Sequence, residues 1–376
     1  MPRKQGNFTS EKRSIMPCIT VGKENGANIS PDTSSKTQLV PANSRRRFLA
    51  AGGLAAASSL LAPRKVFADS TFLTANPPWD SDAASTPSPI HYKTARINDL
   101  DIFYREAGPQ DAPVILLLHG FPTSSNMFRN LIPRLAGSYH VIAPDYPGYG
   151  QSSMPDHKTY AYTFANFANV VDQLLISLNL NKYSMYVMDY GAPTGYRLAL
   201  KHPERVQALI VQNGNAYVEG LLKFWDPFRA YWTSPTPENR EAMRGLLDAK
   251  STRWQYEHGV SDLTLLDPTT WLVDQYGMDR PGNKDIQLDL FLDYGTNVPL
   301  YPDFQAFFRK YQPPTLIVWG KNDFIFPPEG AAPYNRDLKN VETHLLDTGH
   351  FALETHGAEI ATRMQTFLAK NKITKT

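Results

Sequence analysis

One aspartate stands where nucleophiles stand. Asp189 lies in Val187-Met188-Asp189-Tyr190-Gly191, between an apolar run of strand length and a helical pattern. A nucleophile on such a turn has a strained, crowded backbone and needs small neighbours. Gly191 supplies one, and Val187 is a less usual partner on the other side. Asp also caps helices, and that plainer role competes with the chemical one. No Gly-x-Ser-x-Gly occurs in the chain, so no serine takes this place. The residue type narrows the reaction. A carboxylate attacking an acyl carbon gives an anhydride, a poor stopping point. Attack on a saturated carbon gives an ordinary ester, which water then hydrolyses.

Such a residue has to be held by a sheet, and apolar runs alternating with helical patterns indicate one. Strands are expected at His91–Asn98, Asp101–Ala107, Val114–Leu118, Tyr139–Ala143, Tyr183–Met188, Val206–Gln212, Thr315–Trp319 and Glu342–Leu346. Helices are expected near Asn126–Ala136, Phe164–Leu178 and Thr194–Lys201, between the last two strands, and to about Ala369. This alternation predicts a mostly parallel sheet covered on both faces. The core is expected over 90–216 and 312–376. From 217 to 311 the rhythm breaks into helical patterns rich in aromatic residues. That insertion is expected to form a helical lid over the carboxyl ends of the strands, where open α/β sheets bind ligands.

The N-terminus predicts export. Ser44-Arg45-Arg46-Arg47-Phe48-Leu49 precedes a weakly apolar run to Leu61, then Ala68. This resembles a twin-arginine address, giving a signal at 1–68 removed after Ala68, a linker at 69–89, and a periplasmic or secreted product. The run is too short to span a bilayer. The signal holds eleven Lys/Arg against three Asp/Glu in a chain of net charge +2, so the remainder is about −6. No basic run survives there, and nothing suggests a nucleic-acid partner. The one cysteine, Cys18, falls in the signal; the exported product therefore has no disulfide and relies on its core. No metal cluster or phosphate loop is evident, and no cofactor is expected.

Four segments in order resemble the α/β-hydrolase fold, over about residues 90–370. Leu118-His119-Gly120-Phe121-Pro122 resembles its oxyanion loop. Ala143-Pro144-Asp145-Tyr146-Pro147-Gly148-Tyr149-Gly150-Gln151-Ser152 resembles the loop after the next strand, with Asp145 and Ser152 structural. The turn at Asp189 is the nucleophile elbow. Trp319-Gly320-Lys321-Asn322-Asp323 and Asp347-Thr348-Gly349-His350-Phe351 follow the last two strands, where this family carries its acid and its histidine. The resemblance thus implies Asp189 as nucleophile, Asp323 as orienting acid and His350 as base, in the fold's usual order. It also implies an oxyanion hole from the N–H groups of Phe121 and Tyr190.

Two branches of the fold use an aspartate in this place. His119-Gly120-Phe121-Pro122 resembles the H-G-x-P motif of epoxide hydrolases, which place two lid tyrosines on the ring oxygen. Tyr294, 29 residues before Asp323, and Tyr231, 42 residues after Asp189, are the candidates. Gly120-Phe121-Pro122-Thr123-Ser124-Ser125 and Val187 look like haloalkane dehalogenase segments instead. Against that branch, Tyr190 replaces the tryptophan that holds halide there, and Phe121 a polar second donor. Trp225 or Trp232 would have to compensate. The balance leans to epoxide hydrolysis, with a small apolar or aromatic substrate and water as the reactants. An esterase and a non-catalytic small-molecule receptor are further alternatives.

Overall fold

Residues on alternate positions of a strand face opposite sides of the sheet, so a strand apolar throughout must be covered on both. Tyr183–Met188 is buried at every position. Tyr183, Met185 and Val187 enter one hydrophobic core, and Tyr186 and Met188 the other. The computed structural model describes residues 88–373. The expected signal at 1–68, and nearly all of the linker at 69–89, lie outside them.

Eight strands, β1 (Ile90–Ile97), β2 (Leu100–Ala107), β3 (Val114–Leu118), β4 (His140–Pro144), β5 (Tyr183–Met188), β6 (Val206–Gln212), β7 (Thr315–Gly320) and β8 (Val341–Leu346), form one sheet in the order β1-β2-β4-β3-β5-β6-β7-β8. Pairing is antiparallel for β1 with β2 and β2 with β4, and parallel elsewhere. This is the α/β-hydrolase sheet. Helix α1 (Ile132–Leu135) and a long final helix, Ala352–Lys370, contribute to one core. Helices α2 (Phe164–Ser177) and α3 (Gly191–Lys201) contribute to the other.

Two expected helices are shorter than their patterns. Over 126–136 there is a 3₁₀ turn, Ser125–Phe128, and then α1, with Pro133 in its first turn. A proline has no N–H to give to the preceding turn, so a helix can restart at Pro133 but not run through it. Between β7 and β8 a 3₁₀ turn at Pro328–Gly330 is followed by one helical turn, Tyr334–Asp337, preceded by Pro333.

Between β6 and β7 the chain is helical: α4 (Asp226–Thr233), α5 (Pro237–Ala242), α6 (Ala249–Glu257), α7 (Thr269–Met278), α8 (Asn283–Asp293) and α9 (Tyr301–Tyr311), joined by short 3₁₀ turns. Polar bonds fasten this insertion to the loops at the carboxyl ends of the strands. Arg280 Nη2 and Asn283 Nδ2 both donate to the Gly148 carbonyl, at 2.6 and 2.7 Å. The Phe291 ring of α8 meets Phe121 of the loop after β3 edge-on at 5.3 Å.

Val187 is accommodated by a glycine one helical stretch away. A Cβ on Gly195 would stand 2.7 Å from Val187 Cγ1. Gly195→Ala should therefore cost about 1–3 kcal/mol in urea unfolding through overpacking, and Val187→Ala should relieve most of that cost in the double variant. Simple additivity of the two changes would contradict this packing account.

Candidate active site

The site begins with backbones that approach closely. Asp189, between β5 and α3, has φ 52, a left-handed value that costs a side chain steric strain and that Asp tolerates better than most. A Cβ on Gly191 would lie 2.1 Å from the Leu118 carbonyl oxygen, and one on Gly120 would lie 2.3 Å from Asp189 Cβ. Glycine at both positions lets the loop after β3 close over the turn. That closure brings two N–H groups onto one oxygen. Asp189 Oδ1 accepts from Phe121 N at 2.8 Å and from Tyr190 N at 2.5 Å. Asp189 is no helix cap in the ordinary sense, since α3 begins at Gly191 without a side-chain cap bond.

The other carboxylate oxygen faces the histidine. Asp189 Oδ2 lies 3.8 Å from His350 Nε2, and His350 Nε2 is buried without a hydrogen-bond partner. His350 Nδ1 lies 2.7 Å from Asp323 Oδ2. The carboxylate thereby fixes the ring and directs Nε2 towards Asp189. Asp323 is itself held: Oδ1 accepts from Ile325 N and Oδ2 from Asn213 Nδ2, both at 2.8 Å. The sequence pattern thus brought Asp189, Asp323 and His350 to one place, with Phe121 and Tyr190 against the first of them.

Burial governs the charges. Asp189 is 5% exposed, and burial raises its pKa to about 6 against the opposing pull of His350 and of the N–H groups of Phe121 and Tyr190. The helix start therefore does not by itself keep this carboxyl in the ordinary acidic range. On His350 burial opposes the proton, but the Asp323 and Asp189 carboxylates outweigh it and hold the pKa above the ordinary value.

The expected accessory residues divide. Tyr294 is fully buried, with its ring 6.0 Å from Tyr190, 4.6 Å from Trp225 and 5.5 Å from Phe164. Burial pushes the Tyr294 phenol well up, and the neighbouring Tyr301 hydroxyl and then the Asp189 charge raise it further. Tyr231 is different: its hydroxyl accepts from Arg240 Nη1 at 3.2 Å, and that arginine also pairs with Asp289 at 2.6 Å. Its hydroxyl is thus engaged in a charged network. The two indoles expected as halide donors are also engaged. Trp225 Nε1 donates to the Ile325 carbonyl at 2.8 Å and Trp232 Nε1 to the Phe291 carbonyl at 2.7 Å. Neither N–H is left for an anion.

Asp145 and Ser152 are structural, as expected. Asp145 accepts from Ser125 N and Gln151 N at 2.7 and 2.8 Å, and Ser152 Oγ donates to the Asp145 carbonyl at 2.7 Å. Asn213 went unnoticed in the sequence. It has φ 41, its carbonyl accepts from Asp189 N at 3.3 Å, and its side chain joins Gly320 N at 2.9 Å to Asp323. The signal was present as Asn213-Gly214 directly after a buried strand, a turn dipeptide.

This sheet is that of a known class. The alpha/beta hydrolase fold family matches residues 113–357, and the chain belongs to that family. It is similar to an uncharacterized hydrolase of Saccharomyces cerevisiae, 46% identical over 274 residues that cover 72% of this chain and 94% of that protein. It is also similar to epoxide hydrolase 3 of Mus musculus, 25% identical over 284 residues, covering 72% and 74%. Among solved structures, haloalkane dehalogenase from Bradyrhizobium elkani superposes with a TM-score of 0.62 at 26% identity, over 76% of this chain and 99% of that one.

The raised pKa has a consequence for stability. Asp189 titrates at about 6 when folded, against an ordinary 3.8, so its protonated form favours the fold. That contribution is complete below about pH 4 and lost as pH rises through about 6, leaving a cost of ~2–3 kcal/mol at neutral pH. Asp189→Asn removes the charge and keeps an oxygen for both N–H donors. We predict that it melts at a higher temperature than the native chain at pH 7.5, with the gap closing towards pH 4. Equal melting temperatures at pH 7.5 would contradict the buried-charge account.

Proposed function

We propose that the protein hydrolyses an epoxide to a diol through an ester on Asp189, with 217–311 as the lid of the reaction chamber. The observation that carries this reading is the unequal treatment of the two Asp189 oxygens. Oδ1 is held by two N–H groups, whereas Oδ2 faces the unpartnered His350 Nε2 across 3.8 Å. Oδ2 attacks a ring carbon, and the C–O bond breaks with its electron pair on oxygen. The Tyr294 phenol protonates that oxygen. His350 Nε2 then takes a proton from water, and the hydroxide adds to Asp189 Cγ. Negative charge develops on Oδ1, where the N–H groups of Phe121 and Tyr190 already sit. One such donor is worth ~3 kcal/mol in a transition state. Cleavage of the Cγ–Oδ2 bond releases the diol, whose oxygen is protonated by His350, and the proton left on the Asp189 carboxyl returns to the Tyr294 phenolate, which restores both groups.

Epoxide is preferred to halide because a departing halide needs N–H donors around it. The indoles of Trp225 and Trp232 both donate to backbone carbonyls, and Tyr190 stands next to the nucleophile. The second reading, displacement of halide from an alkyl carbon, is favoured by the likeness to the Bradyrhizobium elkani dehalogenase. The two separate in one experiment. His350→Gln keeps the attack and loses the base, so the ester should accumulate and add the mass of the substrate to the intact protein. The proposal predicts an adduct with an epoxide panel. An adduct with haloalkanes alone would overturn it. Tyr294→Phe should slow epoxide opening by ~10²-fold in single-turnover kinetics, and a rate equal to that of the native chain would remove Tyr294 from the mechanism.

A further inference from the structure

Asp189 and His350 are both buried, so a substrate needs a way in. A cavity of about 310 Å³ lies between the insertion and the loops after β3 and β4, a size that takes small molecules. Its walls include Pro122 and Tyr149 of those loops, Val273, Tyr276 and Gly277 of α7, and Gln287 of α8. Its inner end adjoins the reaction space. Pro122 directly follows Phe121, whose N–H is on Asp189 Oδ1. Gln287 stands one turn before Phe291 on the same face of α8, and the Phe291 ring meets Phe121 edge-on. Tyr149 Oη donates to Gln287 Oε1 at 2.5 Å. Burial, and after it the Asp189 charge, hold the Tyr149 phenol well above its ordinary value.

The outer end is open. Val273 and Tyr276 are 51% and 78% exposed. Gly277 follows Val273 by four residues, so a side chain there would lean back over Val273, on the cavity side of α7. A Cβ on Gly277 would meet nothing within 4 Å, and the residue has no left-handed φ. Neither packing nor backbone conformation therefore calls for glycine, which is less favourable than alanine in a helix by up to about 1 kcal/mol. We propose that this cavity is the substrate's route to Asp189, and that the bare backbone of Gly277 at its mouth sets how bulky a substrate enters. The Tyr149–Gln287 pair is the inner wall of the route and has to part for passage. The inference rests on the epoxide reading for its substrate, which the apolar rim of Val273 and Tyr276 narrows to epoxides carrying an aromatic or alkyl group. No bond of the substrate forms or breaks in transit, so Gly277 acts on selection by size and not on the chemical step.

The test compares ester formation from styrene oxide and from propylene oxide, read by intact mass in the His350→Gln background. Adding Gly277→Trp should lower the ratio of the styrene oxide rate to the propylene oxide rate by ~10-fold, because the bulkier epoxide must displace the indole to enter. Leu272 is exposed on the same helix and does not line the cavity, so adding Leu272→Trp instead should leave the ratio unchanged. The melting temperature of Gly277→Trp should not fall, since the new Cβ meets open space. An undiminished ratio in Gly277→Trp would overturn the route and leave the epoxide reading standing. Equal slowing of both epoxides with a lower melting temperature would mark Gly277 as structural and overturn the route as well. Adducts with haloalkanes alone would overturn the epoxide reading, and the route would then stand or fall by the same ratio taken between 1-bromo-3-phenylpropane and bromoethane. No adduct with any of these would overturn both.

Discussion

The grip of Phe121 N and Tyr190 N on one oxygen of Asp189 is the interaction on which the rest of the structure depends. It can form only if the loop after β3 lies against the turn after β5, and the close approaches at Gly120 and Gly191 make that possible. It requires Asp189 to hold a left-handed backbone, which is tolerated because β5 is paired on both sides and buried throughout. In the proposed reaction it also decides which oxygen attacks. With Oδ1 fixed, Oδ2 is the proposed nucleophile, and the same N–H pair would meet the charge that forms on Oδ1 during hydrolysis of the ester. A single arrangement thus serves both steps without reorganisation, the condition under which preorganised donors act most strongly.

The buried charges are coupled in a useful order. In the free protein the carboxylates of Asp323 and Asp189 both favour a proton on His350. In the proposed mechanism, conversion of Asp189 to a neutral ester would remove one of them and lower the hold on that proton. Ester formation would itself move His350 towards the neutral imidazole that the proposed second step needs as its base. Asp323, fixed by Ile325 N and Asn213 Nδ2, remains to orient the ring and to stabilise the imidazolium once water has been deprotonated.

Much of this was legible in the sequence because it rests on local signals. All eight strands fall within a residue or two of where the sequence places them; the inner strands β3, β5 and β7 are buried at every position, which demands the largely apolar runs that mark them in the sequence. Asp189, Asp323 and His350 stand at strand ends, which is where a parallel sheet gathers its loops. What failed was set by direction and by long-range partners. Tyr231 and Tyr294 are both buried tyrosines of the insertion, and spacing cannot tell that one hydroxyl turns to Arg240. Trp225 and Trp232 read as spare donors until the carbonyls of Ile325 and Phe291 take their N–H groups. The two shortened helices have a different cause: Pro133, Pro328 and Pro333 stand inside the helical patterns and stop a helix that apolar periodicity alone would carry further.

In the proposed reaction, water attacks a carbon of the protein and not of the substrate. A single turnover with enzyme in excess over styrene oxide, in water enriched in oxygen-18, tests it directly. The account predicts the label in the carboxylate of the peptide containing Asp189, with the first diol released unlabelled. A labelled diol from that first turnover, with Asp189 unlabelled, would mean direct attack by water and would contradict the ester on Asp189.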